Sequence, residues 1–256
     1  MRSLPGEGAR VIGIASGKGG VGKTTVAINI AYALGEIGRK TLAIDVDIAL
    51  PNLDLYTGLE KPMITLLDLL NNTSDYKHAI YRMTDNLDLL PCGTSLHAMQ
   101  EMDINNLKEI VEEVSNAYEY VILDIAAGLS KFTIVPITLS QEVCLVVNPE
   151  PASIQDAQKV IAVTKFAGSH LCGVVVNRCR KKQHEKDVEA RLGVPVLGCI
   201  REDKQIPRSI EEKNPIVVWK PGSTASKSFN SIVRKICGEH TYQNQNFRDK
   251  LIRRGL

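Results

Sequence analysis

No two of the six cysteines (Cys92, Cys144, Cys172, Cys179, Cys199, Cys237) stand in a Cys-x-x-Cys pair. Several lie inside apolar runs such as EVCLVV and LGCI, so they read as buried reduced thiols rather than as a disulfide or metal framework. Also missing is any run of about 18 uncharged apolar residues that could span a bilayer, and the N-terminal MRSLPGEGAR lacks the apolar stretch of a secretory signal. These absences predict a cytoplasmic protein. The chain shows no internal repeat and no low-complexity linker. Nor is there a strong excess of one charge. The formal net charge is +2, and the last ten residues, FRDKLIRRGL, contribute +3, which leaves the preceding body at −1. A body so near neutrality argues against a broadly basic nucleic-acid surface, while leaving room for a local phosphate-binding patch.

What is present is apolar and alternating. With 256 residues and 44% hydrophobic content the chain can bury one large α/β domain. We expect that domain over residues 1–243 and a basic tail over 244–256. Short β-branched runs occur at 11–16, 41–45, 87–91, 120–126, 143–148, 171–177 and 194–200. Continuous apolar runs of this length suit strands buried on both faces, as in a parallel sheet. The segments between them read as helices. One is expected over 103–117, with Asp103 at its start and Ile104, Leu107, Ile110, Val111 and Val114 on one face. Another begins near Gly22 and ends before Gly38. This alternation predicts a doubly wound, mainly parallel α/β fold with helices on both faces and its chemistry at the carboxyl ends of the strands.

The decisive segment is Gly17-Lys18-Gly19-Gly20-Val21-Gly22-Lys23-Thr24, followed by Thr25. It satisfies G-x-x-x-x-G-K-[ST] directly after an apolar strand and directly before a helix. Glycines let successive backbone N–H groups turn toward phosphate oxygens, and the helix N-terminus adds partial positive charge. In such a loop Lys23 reaches the β- and γ-phosphates and the Thr24 hydroxyl ligates Mg²⁺. Tyr120-Val121-Ile122-Leu123-Asp124 is a strand ending in an acid, the arrangement that holds Mg²⁺ or its water; alone it is a weak signal.

Lys18 gives the loop a second lysine, in the form K-G-G-x-G-K-T. The motif resembles the deviant Walker motif of the MinD/ParA group of ATPases, and within that group it is most similar to the MinD type. The resemblance extends over residues 10 to 237. It implies an ATP- and Mg²⁺-dependent hydrolase, slow and stimulated by a partner protein, that dimerises on ATP with Lys18 crossing to the partner's phosphates. It implies that Asp47 positions the attacking water and that Asp45 supports the Mg²⁺ shell, although acids at a strand end also serve as ordinary loop caps. The segment after Asp124, Ile125-Ala126-Ala127-Gly128-Leu129, is similar to the family's second switch, with Gly128 sensing the γ-phosphate. It departs from the pattern in carrying Ala126 where the family has proline, which removes a fixed φ.

Asn148-Pro149-Glu150 resembles a segment through which Glu150 meets the nucleoside bound to the partner; it also fits a polar turn capping a helix. Asn177 and Arg178 end the next strand, and a carboxamide offers a purine edge both donor and acceptor, so Asn177 is the expected adenine reader. Arg201-Glu202-Asp203 stands where relatives carry P-E-D. No N-K-x-D guanine signature occurs, which favours ATP over GTP. The run Arg178, Arg180, Lys181, Lys182 and Lys186 reads as a solvated loop or a DNA-phosphate contact.

In the tail, Phe247, Leu251, Ile252 and Leu256 alternate with Arg248, Lys250, Arg253 and Arg254. This is similar to the short membrane-targeting helix of the MinD type, and it also fits a solvated terminus. The expected function is therefore a MinD-like ATPase that docks reversibly on the inner face of the cell membrane and positions cell-division or other polar machinery. The alternatives are a ParA-like DNA-segregation ATPase and a redox or metal carrier similar to the nitrogenase iron protein, which needs a cysteine pairing not present here.

Overall fold

The computed structural model describes residues 8–238 apart from Lys182, so the expected tail lies outside the described residues. Eight strands form one sheet: β1 (Arg10–Ala15), β2 (Thr41–Val46), β3 (Tyr81–Arg82), β4 (Leu87–Leu90), β5 (Tyr120–Ile125), β6 (Glu142–Val147), β7 (His170–Cys179) and β8 (Val196–Arg201). Their order is β3-β4-β2-β5-β1-β6-β7-β8. All neighbours run parallel except the short β3, which pairs antiparallel with β4. β1 is therefore central, and the chain winds outward from it in both directions. That is the doubly wound topology the apolar runs predict.

Every residue of β2 and of β5 is buried, as expected for strands covered on both sides. One face packs against helices that include Leu107–Ser115, Lys131–Leu139, Pro151–Phe166 and Gln183–Leu192. The other packs against Lys23–Glu36 and Thr224–Ile236. The expected stripe of Ile104, Leu107, Ile110, Val111 and Val114 is buried in full. Its first turn is a 3₁₀ helix, Ile104–Asn106, before the α-helix begins at Leu107, and the Asp103 side chain caps it by accepting from the Asn105 N–H. The last expected strand starts at Val196, since Pro195 has no N–H for a ladder.

At the amino end of β1 the Arg10 guanidinium pairs with Glu142 at 2.6 Å and donates to the Ile236 carbonyl at 2.8 Å. These contacts fix the end of the last described helix beside the amino edge of the sheet. The chemistry-bearing residues gather at the opposite edge.

Candidate nucleotide-binding site

The loop between β1 and the Lys23–Glu36 helix turns on two glycines with positive φ, Gly20 at 76° and Gly22 at 92°. Gly22 is the N-cap residue, so the N–H groups of the helix's first turn are left to face a ligand. Gly17 meets the backbone of Asp156, where a Cβ would collide. The loop is thereby seated against the helix Pro151–Phe166. Val21 is buried and Thr24 is partly exposed; Thr25 is buried in the first turn, and its carbonyl accepts from Asn29 Nδ2 at 2.8 Å.

The two loop lysines face opposite ways. Lys18 is exposed, as are Gly19 and Gly20, and among the described residues its side chain makes no ion pair or hydrogen bond. Lys23 is 7% exposed, with Nζ 2.7 Å from Asp124 Oδ1 and 3.5 Å from Asp47 Oδ2. Burial works to lower the Lys23 pKa, but the charge and hydrogen bond of Asp124, with Asp47 and Asp45 behind, raise it above its ordinary value. Lys23 is thus a cation held at the sheet edge by carboxylates.

Strand register sets those carboxylates side by side, because Asp45 at the end of β2 pairs with Asp124 at the end of β5. Burial and the neighbouring Asp124 push the Asp45 carboxyl up to about 7. Opposing this, it accepts backbone N–H bonds from Asp47 (3.0 Å), Asn52 (2.9 Å) and Leu53 (3.0 Å). Asp45 therefore shapes the loop that carries Asp47. The Asp47 side chain receives the Leu50 N–H at 3.2 Å and aims its other oxygen at Lys23.

Asp124 Oδ2 is buried with no hydrogen-bond partner. A buried carboxylate oxygen left open, on the acid bonded by Lys23, the residue before the partly exposed Thr24, fits a hydrated divalent cation whose remaining ligands come from phosphate. Among the described residues no three His, Cys, Asp or Glu side chains converge as a self-sufficient metal site. The donors fit Mg²⁺ bound together with a nucleotide.

The switch-like segment after β5 is held in place. Gly128, with φ of 95°, donates its N–H to the Ser16 carbonyl at 3.2 Å, so this expected γ-phosphate sensor is occupied by the loop before the phosphate cradle. Ala126, at the family's proline position, is buried, and its carbonyl accepts from the Thr133 hydroxyl at 3.1 Å. A side-chain bond here supplies restraint that a pyrrolidine ring would otherwise give.

At the expected nucleoside end, Asn177 is buried and bound within the protein. Its Nδ2 donates to the Val21 carbonyl at 2.8 Å, and its Oδ1 accepts from the Arg178 N–H at 2.9 Å. One N–H and one acceptor position of the carboxamide remain uncommitted. Arg178 is exposed with φ of 53°. Glu150 is exposed at the N-cap before Pro151. Glu202 pairs with Arg180 at 2.7 Å, which ties part of the basic run to the R-E-D segment, whereas Lys181 and Lys186 are exposed. Sequence reasoning passed over Asn148, whose Oδ1 is buried without a partner at the end of β6. Its position in N-P-E was the available signal.

A glycine loop opening a helix, a buried lysine facing strand-end carboxylates, and a doubly wound sheet together define a P-loop nucleoside-triphosphate-binding ATPase. The family model for the AAA domain matches residues 9–171. An uncharacterized ATP-binding protein of Methanocaldococcus jannaschii is 38% identical over 90% of this chain and 88% of its own. The cell division ATPase MinD of Pyrococcus furiosus superposes with a TM-score of 0.86 at 34% identity, covering 90% of this chain and 99% of that one. The septum site-determining protein MinD of Pyrococcus horikoshii, complexed with Mg-ADP, gives 0.85 at 34% identity, covering 89% and 96%. The chain belongs to the MinD/ParA family of ATPases and stands with its MinD members.

Proposed function

We propose that this ATPase is a nucleotide-controlled dimer that docks on a membrane and positions cell-division or other polar machinery. The observation that carries the reading is the contrast between the two loop lysines. Lys23 is buried against carboxylates, whereas Lys18 points to solvent at the mouth of the cradle, free to meet the phosphates of a second copy. Leu50 and Leu129, in the loops following β2 and β5, are 73% and 44% exposed. Apolar residues beside such a mouth supply surface for a second subunit to cover.

In this reading Lys23 leaves Asp124 for the β- and γ-phosphates, and Asp47, released from Lys23, orients the attacking water. Lys18 of the second copy stabilises charge developing on the transferred phosphoryl group. Mg²⁺, when bound, would neutralise phosphate charge, with Thr24, Asp45 and Asp124 as the residues holding its shell. The cradle is completed by Gly17, Gly19, Gly20, Val21, Gly22 and Thr25, while Glu150, Asn177 and Arg178 serve the nucleoside end. Hydrolysis would be slow until a partner protein stimulates it. Two tails brought together would hold a membrane with an avidity neither has singly, through Phe247, Leu251, Ile252 and the flanking basic residues.

One experiment joins these steps: sedimentation and anionic-liposome pelleting in ATP or ADP, for the full chain, Lys18→Ala and a truncation before Phe247. ATP should dimerise and pellet the full chain, Lys18→Ala should stay monomeric while still binding nucleotide, and the truncation should dimerise without pelleting. A dimer unchanged by Lys18→Ala would refute the crossing lysine, and equal pelleting of the truncation would refute the tail.

A further inference from the structure

Three buried polar side chains close the strands beside the phosphate loop: Ser16 after β1, Asn148 after β6 and Asn177 in β7. Strand alternation sets them on one face. Ile14, Val146 and Val175, each two residues earlier, pack with Val21 and the Lys23–Glu36 helix. Asn148 precedes Pro149, which keeps its backbone extended, so the alternation of β6 carries one residue past Val147. Val147 pairs with Val176, so Asn148 and Asn177 stand side by side on strands about 4.8 Å apart. On its other flank β6 pairs with β1, the strand that leads into the loop.

Two of the three side chains hold the loop by its carbonyls. Ser16 Oγ donates to the Lys18 carbonyl at 3.1 Å, and Asn177 Nδ2 to the Val21 carbonyl at 2.8 Å. Between those ties lie Gly19 and Gly20, both exposed. Asn148 sits on the strand between the other two, and it is 5% exposed. Its backbone is pinned, the N–H donating to Ser153 Oγ at 3.0 Å and the carbonyl accepting from the Glu150 N–H at 2.8 Å. Its side chain is not pinned, because Oδ1 is buried without a partner. Buried polar atoms are ordinarily paired, since an unpaired one forfeits the hydrogen bonds that water would give. Asn177 shows what a carboxamide in this row can do, donating to one backbone carbonyl while accepting from one backbone N–H.

We infer that Asn148 is a positioning residue of the cradle: its carboxamide makes a middle tie to the loop backbone between Lys18 and Val21 once phosphate orders that turn. The inference rests on the proposed nucleotide site. Phosphate draws the N–H groups of the loop toward itself, and in a trans peptide the carbonyl points the opposite way, back toward the strand ends. There Asn148 offers both a donor and an acceptor. The free protein carries the carboxamide unpaired, and nucleotide binding pairs it. Asn148 therefore contributes to nucleotide affinity and not to the stability of the free protein.

The test is Asn148→Leu in the full chain, a change that keeps the branched shape and removes both polar groups. Calorimetry with Mg-ATP and with Mg-ADP should show both affinities falling about fivefold, as for one net hydrogen bond. Urea unfolding without nucleotide should find the variant at least as stable as the unsubstituted chain. Equal affinities would overturn the assignment. So would a loss of stability without nucleotide, which marks a tie already made in the free protein. A crystal structure of the unsubstituted chain with Mg-ADP decides the matter whatever the folding of the variant. The carboxamide within about 3.2 Å of a backbone nitrogen or oxygen between Lys18 and Val21 supports the tie, and a carboxamide bonded elsewhere or to water alone overturns it. No heat of nucleotide binding to the unsubstituted chain would remove the nucleotide site itself, and this tie with it.

Discussion

Lys23 Nζ lies 2.7 Å from Asp124 Oδ1, and the two residues are 7% and 1% exposed. The lysine we propose to bind phosphate is thus neutralised within the protein by the acid at the end of β5. In the proposed function phosphate binding exchanges this pair for another, so the pair sets the charge balance of the cradle. It also links the loop to the strand whose end leads into the segment 125–129.

Removing one member of a buried pair leaves the other charged and uncompensated. Lys23→Ala should destabilise the fold by about 3 to 5 kcal/mol and abolish ATP binding. Urea unfolding gives the first value and titration calorimetry the second. Unchanged stability would mean that Asp124 finds solvent or a proton instead.

Asp45 makes stability depend on pH. Its folded pKa, about 7, lies above the ordinary carboxylate value, so the folded state binds its proton more tightly than the unfolded state does. The contribution from this group is fully present below about pH 4 and declines as pH rises toward 7. Asp45→Asn should flatten that part of the urea-stability profile. A slope identical in both proteins would show that the three backbone donors hold Asp45 ionised throughout.

Thr133→Val is nearly isosteric and removes only the hydroxyl that the Ala126 carbonyl accepts. A buried acceptor left without its donor costs about 1 to 3 kcal/mol. We expect that loss in denaturant titration, with faster amide exchange in residues 125–129.

Asn177→Ala cuts the link to Val21 and removes a carboxamide from the proposed nucleoside end. Losing the tie alone should weaken ATP, ADP and GTP equally, by about fivefold, given a hydrogen bond worth about 1 kcal/mol. Losing a base contact should in addition erase the preference for ATP over GTP, and competition binding with the three nucleotides separates the two roles.

Much of this was readable from the chain because the governing signals are local. Apolar runs mark the seven long strands, and the eight-residue loop pattern between a run and an amphipathic segment fixes the cradle. β3 was not legible, since two residues, Tyr81 and Arg82, carry no periodicity. Short helices such as Leu53–Thr57 and Leu66–Leu70 are likewise below the length at which a 3.6-residue repeat can be recognised. The ties that seat the site were also hidden. Asn177 reaches Val21 across 156 residues, and the register that places Asp45 beside Asp124 depends on β5 inserting between β1 and β2. The Ala126 substitution showed a missing restraint, but only the packing of the Lys131–Leu139 helix shows that Thr133 provides another.

Arg10 and the glycine loop stand at opposite tips of one six-residue strand, a span of about 20 Å. By gripping the Ile236 carbonyl, Arg10 holds the end of the last described helix at the pole of the sheet opposite the glycine loop. The strand that carries the phosphate cradle at one tip thus anchors the final described helix at the other.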